Sequence, residues 1–242
     1  MAEDDGGAAS LLNDMDTDTT GIDEMVIGSV HDPLTHTLNA DGQYDRIKLE
    51  GGMTSPSAPT QRELLVATGA RIFHERGYTA TGVRQVAAAA HVPLGSFTNH
   101  FRSKEGFAFA VLEHYVRRLD QIMQATLNDP SCPPVRRIEA YFDAIEHALD
   151  DHDWGVGCLI PDLATEVPAY SELLRGALAR VLERQTTAFT TVLRQLVEPD
   201  EADDLAAVLL AAWHGTLLRM KVERSGAPVA RFRRILGRLL LA

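Results

Sequence analysis

Cysteine is scarce in this 242-residue chain, with only Cys132 and Cys158 present. No CxxC pair occurs, which excludes a thiolate-built zinc module and a thioredoxin-like redox pair; two thiols are also too few for a disulfide-stapled scaffold. A glycine-rich phosphate loop and a two-His-one-carboxylate spacing are both missing, so nucleotide chemistry and metal catalysis have no signature and no cofactor is expected. No uninterrupted apolar run approaches the roughly 20 residues of a membrane-spanning helix. The N-terminus is acidic and lacks the basic-then-apolar layout of a signal peptide. A cytoplasmic protein without a membrane partner is the expectation.

Positive charge is lacking in one place only. Residues 1–59 carry twelve acidic groups against Arg46 and Lys48, a net charge of −10 out of −11 for the whole chain. With DDGG, DMDTDTTG and SPSAPT and no helical or strand period, this stretch reads as a disordered acidic leader. Met53 is a second candidate start. From Thr60 to Gly106 the balance reverses, with six basic groups (Arg62, Arg71, Arg76, Arg84, Arg102, Lys104) against three acidic ones. A nucleic-acid partner is therefore compatible with the acidic total.

What is present is helical periodicity. Leu64, Leu65, Ala67, Thr68, Ile72 and Phe73 make a stripe over 60–76, with Gly77 placed as a left-handed C-terminal residue. Thr81 suits an N-cap for a second helix that turns Val83, Val86, Ala87 and Ala90 toward the first, with Ala88 and Ala89 keeping the crossing close. A tight turn at His91-Val92-Pro93 leads into a third helix, Pro93 to Phe101, exposing Leu94, Ser96, Thr98, Asn99 and His100. Two helices crossing through a short turn are the layout of a helix-turn-helix, whose second helix enters the DNA major groove.

Longer helices follow, over about 104–127, 135–149, 171–197, 201–225 and 229–241, with a short helix broken near Pro161. The predicted fold is all-α: a leader over 1–59, a three-helix DNA-binding domain over 60–106, and a second helical domain over 107–242. Leu205, Val208, Leu209, Ala212, Trp213, Thr216, Leu217 and Met220 share one broad face of the penultimate helix. Leu236, Leu239 and Leu240 do so on the last. A monomer could bury one such stripe, and two leave a face open to a partner.

The DNA-binding segment resembles the TetR/AcrR family of bacterial repressors. Gly77-Tyr78, Val86-Ala87, VPLGSFTNHF and Ser103-Lys104-Glu105 match the family pattern in order over about fifty residues. By resemblance Arg84 clamps phosphate or reads a base, Gly95 lets backbone approach closely, Ser96, Thr98, Asn99 and His100 form the recognition face, and Lys104 clamps phosphate. Leu94 stands where a basic or polar residue is usual and Thr98 where a phosphate-binding tyrosine is usual, so two phosphate contacts are lost. The family implies a homodimeric repressor whose 107–242 half is the ligand-binding and dimerisation domain, pairing through a four-helix bundle of the two C-terminal helices. Two heads about 34 to 36 Å apart then read palindromic double-stranded DNA.

Gly157-Cys158-Leu159-Ile160 is similar to a motif in a subgroup whose members respond to electrophiles, oxidants or small acrylate-like acids. At a helix N-terminus Cys158 is expected to have a lowered pKa, with His152 near in sequence; the opposed reading makes it a small buried hydrophobe. Cys132 is a candidate resolving thiol. Tyr115, Tyr141, Phe142, Trp154, Glu166, Phe189 and Trp213 are candidate walls for a small-molecule effector, with Tyr115, Trp154 and Trp213 foremost. No enzyme is expected. The alternatives are a Cys158–His152 hydrolase or transferase and a non-specific DNA-binding protein.

Overall fold

The computed structural model describes residues 58–150, 154 and 157–240 together with two short strands, all within the unit Pro33–Ala242. The strands, β1 (His36–Leu38) and β2 (Tyr44–Arg46), pair antiparallel with His36 opposite Arg46. This pairing lies inside the expected leader and was not legible in its sequence. Apart from residues 58 and 59, the rest of the leader lies outside the described residues, as does His152.

The remaining architecture is helical. α1 (Gln61–Arg76) opens with a reciprocal cap: Glu63 N–H donates to Thr60 Oγ1 at 3.3 Å while Thr60 N–H donates to the Glu63 carboxylate at 2.8 Å. Such a box satisfies two of the four N–H groups that a helix start leaves without partners. α2 (Val83–Ala89) and α3 (Leu94–His100) complete the head. Gly82, not Thr81, is the N-cap of α2, and the buried Thr81 hydroxyl instead donates to Gly77 O at 2.7 Å. Val86, Ala87 and Ala90 face inward as expected, whereas Ala67, Ala88 and Ala89 are exposed, and Val66 and Gly69 take the inner positions on α1. A seven-residue helix turns only one narrow side to the core, so a run of four alanines cannot all lie at the crossing.

α4 (Lys104–Ala125) belongs to both halves. Its Phe107 ring lies 5.0–5.8 Å from Phe73, Phe97 and Phe101, closing the head's aromatic core. Gly69 admits that ring, because a Cβ there would stand 2.3 Å from Phe107 Cζ. The head is thereby seated on the first turns of α4.

α5 (Pro134–Asp150), α6 (Leu159–Glu166), α7 (Glu172–Leu193), α8 (Pro199–Glu223) and α9 (Ala227–Leu240) form the second half. Pro161 does not break α6: it sits in the first turn, where its missing N–H costs nothing. Tyr141, Phe142, Phe189, Trp213 and Phe232 make a continuous aromatic cluster with ring centroids 4.9–5.5 Å apart. The broad face expected on α8 is two faces. Leu209, Trp213, Leu217 and Met220 are buried, while Val208, Ala212, Leu218 and Val222 are exposed. By length and composition α8 is apolar enough to cross a membrane, but its inner side is a core helix of this bundle. On α9, Leu236 is buried and Ile235 and Leu239 are exposed.

Candidate nucleic-acid interface and effector site

The turn before α3 is set by backbone. His91 adopts a left-handed φ of 52°, a conformation that costs a non-glycine residue about 1–2 kcal/mol. It is held there by hydrogen bonds from His91 N–H to Ala88 O and from Val92 N–H to Ala87 O. Buried Val92, Phe97 and Phe101 then anchor α3, leaving Leu94, Thr98, Asn99 and His100 exposed and Ser96 partly so. Arg84 is exposed on the neighbouring α2. Sequence reasoning and structure agree on which side of α3 faces outward.

Gly95 has no explanation among the described residues. Beyond its chain neighbours and its own helix backbone, none of their heavy atoms stands within 4 Å of the place its Cβ would occupy, and its φ is not in the left-handed range. A glycine inside a helix weakens it by about 0.5–1 kcal/mol relative to alanine. Gly95→Ala should therefore raise stability by about that amount in urea unfolding while weakening DNA binding in fluorescence anisotropy. A variant that binds DNA as tightly as the parent would show that no outside body approaches Gly95.

Lys104 is not extended toward solvent. Its ammonium donates to Thr79 O at 3.2 Å and lies 4.4 Å from the Tyr78 ring centroid. Burial lowers its pKa, against the opposing pull of Glu166. Glu166, expected as a pocket wall, is instead a clasp on the head: its carboxylate accepts from Tyr78 N–H at 3.2 Å and Thr79 N–H at 2.7 Å. Gly77 has the positive φ expected of it, 80°, but its ψ of 167° is not that of αL, a combination essentially confined to glycine; a Cβ there would meet Glu166 Oε1 at 2.4 Å. A second tie joins Ser171, the N-cap of α7, to Glu105 on α4.

Cys158 is the N-cap residue of α6, as its position predicted, but it is buried. The Tyr115 hydroxyl donates to its sulfur at 3.2 Å. The expected lowering of its pKa is overturned: burial pushes the thiol up to about 11, with Asp162 adding to the rise and the Tyr115 hydrogen bond only partly offsetting it. A helix terminus stabilises charge by about 0.3–1 kcal/mol at exposed sites, too little to overcome desolvation of a buried thiolate.

One turn along α6, Asp162 pairs with Lys221 at 2.9 Å and stands 4.0 Å from His74 of α1, whose ring is 5.5 Å from Tyr115. This polar group was missed from sequence, although Cys158, Asp162 and Glu166 recur every four residues and so share one side of a helix. Of the four foremost effector residues, only Tyr115 and Cys158 meet. Trp154 lies against the α8–α9 turn, where a Cβ on Gly226 would come within 2.8 Å of its indole. Trp213 is packed between Phe142 and Phe232 at 4.9 and 5.1 Å. Cys132, the candidate resolving thiol, and Cys158 are both free, and the Cys132 thiol donates to Asp129 Oδ2 at 3.4 Å.

Residues 65–111 match the model of bacterial regulatory proteins of the tetR family, and residues 134–235 match that of the C-terminal domain of LmrA/YxaF-like transcriptional regulators. The HTH-type transcriptional repressor DhaR of Mycobacterium sp. (strain GP1) is 40% identical over 186 residues, covering 74% of this chain and 92% of that protein. Among solved structures, regulatory protein TetR from Rhodobacter sphaeroides superposes with a TM-score of 0.70 at 30% identity, covering 74% of this chain and 97% of that one. The reduced form of NemR from Escherichia coli superposes at 0.62 and 30% identity, covering 73% and 95%. The chain belongs to the TetR family of bacterial transcriptional regulators.

Proposed function

We propose that the protein is a cytoplasmic homodimeric repressor that holds a palindromic operator through α2, α3 and Lys104 and releases it when the Cys158 site is occupied by a small-molecule effector or modified. The observation that carries this reading is the span of α6. Its N-cap is Cys158, in contact with Tyr115, and its last residue is Glu166, which holds two backbone N–H groups of the head. Eight residues, about 12 Å of helix, thus join the effector site to the reader. An effector that favours a displaced α6 loosens the clasp and shifts the head, and it moves the equilibrium only by its differential affinity for the two states. Covalent modification passes through the same displacement, since the buried protonated thiol must first leave Tyr115 to become nucleophilic. Such a chain is a regulator rather than a catalyst.

The exposed side of α8, with Val208, Leu218 and Val222, and Ile235 and Leu239 of α9 supply the face through which two copies pair. DNA binding requires the pair because one recognition helix reads too few bases. Lys104 exchanges Thr79 O for a phosphate oxygen.

The test is binding of the full chain to DNA selected from its source genome. A discrete, salt-sensitive complex on a two-fold symmetric site supports the reading, and equal affinity for all sequences overturns it. Glu166→Gln keeps the side chain's shape but loses the charge and one of the two acceptor oxygens, since its amide NH2 would face a backbone N–H of the head. It is expected to bring the operator affinities of effector-free and effector-loaded protein within a few-fold of each other. Undiminished effector release in this variant would remove Glu166 from the coupling.

A further inference from the structure

We propose that Leu94 and Thr98 form an apolar flank of α3 that reads the 5-methyl groups of thymine, an inference that rests on α3 being the DNA-reading helix. Successive helical residues point about 100° apart. With Phe97 turned inward, Gly95 and Asn99 lie on the outermost ridge, Ser96 and His100 on one flank, and Leu94 and Thr98, four residues apart, together on the other.

That flank carries little polarity. Leu94 is 39% exposed, an unusual position for a large aliphatic side chain on a surface meant for DNA. The Thr98 hydroxyl donates to Gly95 O at 2.9 Å, so its proton is committed within the helix and its γ-methyl is left as the distinctive group. Neither residue can donate to phosphate in this arrangement. In the major groove the apolar feature of the unmodified bases is the thymine methyl group, while Asn99 on the adjoining ridge suits adenine N6 and N7. The two readings agree on A·T pairs: adenine under Asn99 and thymine methyl groups against Leu94 and Thr98. The departures from the family pattern at 94 and 98 thus exchange phosphate contacts for base selectivity.

The experiment removes methyl groups from either side. The full chain is used to select a site from random duplex DNA, and each thymine of the half-site is replaced in turn by uracil, which lacks only the 5-methyl group. At one or two adjacent positions uracil is expected to weaken binding about fourfold, the worth of one buried methyl. Thr98→Ser, which keeps the hydroxyl and its hydrogen bond, and Leu94→Ala should each bind the thymine site about fourfold more weakly and lose most of the penalty for uracil. Both residues are exposed, so the variants are expected to fold, and coincident circular dichroism melts check this. A selected site on which uracil makes no difference, or variants that discriminate as the parent does, overturns the methyl reading and leaves α3 as a DNA reader. Failure to enrich any site overturns both.

Discussion

Trp213→Ala is expected to lower unfolding stability by about 3–5 kcal/mol, the range for truncating a large buried aromatic. Trp213 is 2% exposed and packs against Phe142 and Phe232, within a cluster that draws on α5, α7, α8 and α9. Removing the indole opens a cavity that rigid neighbouring rings fill only in part. Trp213→Phe keeps a ring and should cost less than half as much, with effector release of DNA unchanged. Urea unfolding of both variants, with anisotropy for DNA release, decides between packing and ligand contact. An alanine variant as stable as the parent, with altered effector response, would return Trp213 to the effector site.

At pH 7 to 8 the native protein should alkylate at Cys158 about a hundredfold more slowly than a free cysteine thiol, because a thiol at about 11 rather than 9 holds about one hundredth of the thiolate. Mass-spectrometric timing of N-ethylmaleimide labelling, with the partly exposed Cys132 as internal control, measures it. Rapid labelling of Cys158 in the folded dimer would show that the Tyr115 contact opens readily.

The same shift has a thermodynamic consequence of fixed sign. The folded state keeps the Cys158 proton to higher pH than the unfolded state does. Its contribution is therefore complete below pH 9 and is lost as pH rises toward 11, by roughly 2–3 kcal/mol at most. Tyr115 and Tyr141, also raised by burial, act in the same direction above pH 10. The Cys158 share is the difference between the parent and Cys158→Ala, whose stability should fall less steeply from pH 9 to 11. Parallel profiles would remove the buried-thiol account.

By itself the sequence determined the helices, the head and its outward side. These rest on local chemistry: the Thr60–Glu63 box, the spacing of Phe97 and Phe101, and Gly77 after α1 are settled within a few residues along the chain. Boundaries drifted where such signals compete, as at Thr81, whose hydroxyl had a better partner in Gly77 O than in a helix N-terminus. Only the tertiary structure decided what distant segments do to one another. Glu166 reaches the head across 87 residues of sequence, and Asp162 meets Lys221 across 59; no periodicity encodes either pairing. The pKa of Cys158 was misjudged for the same reason. A helix N-terminus is visible in the order of residues, but the desolvation that outweighs it depends on how completely Tyr115, α6 and their neighbours exclude water, and burial is a property of the folded chain.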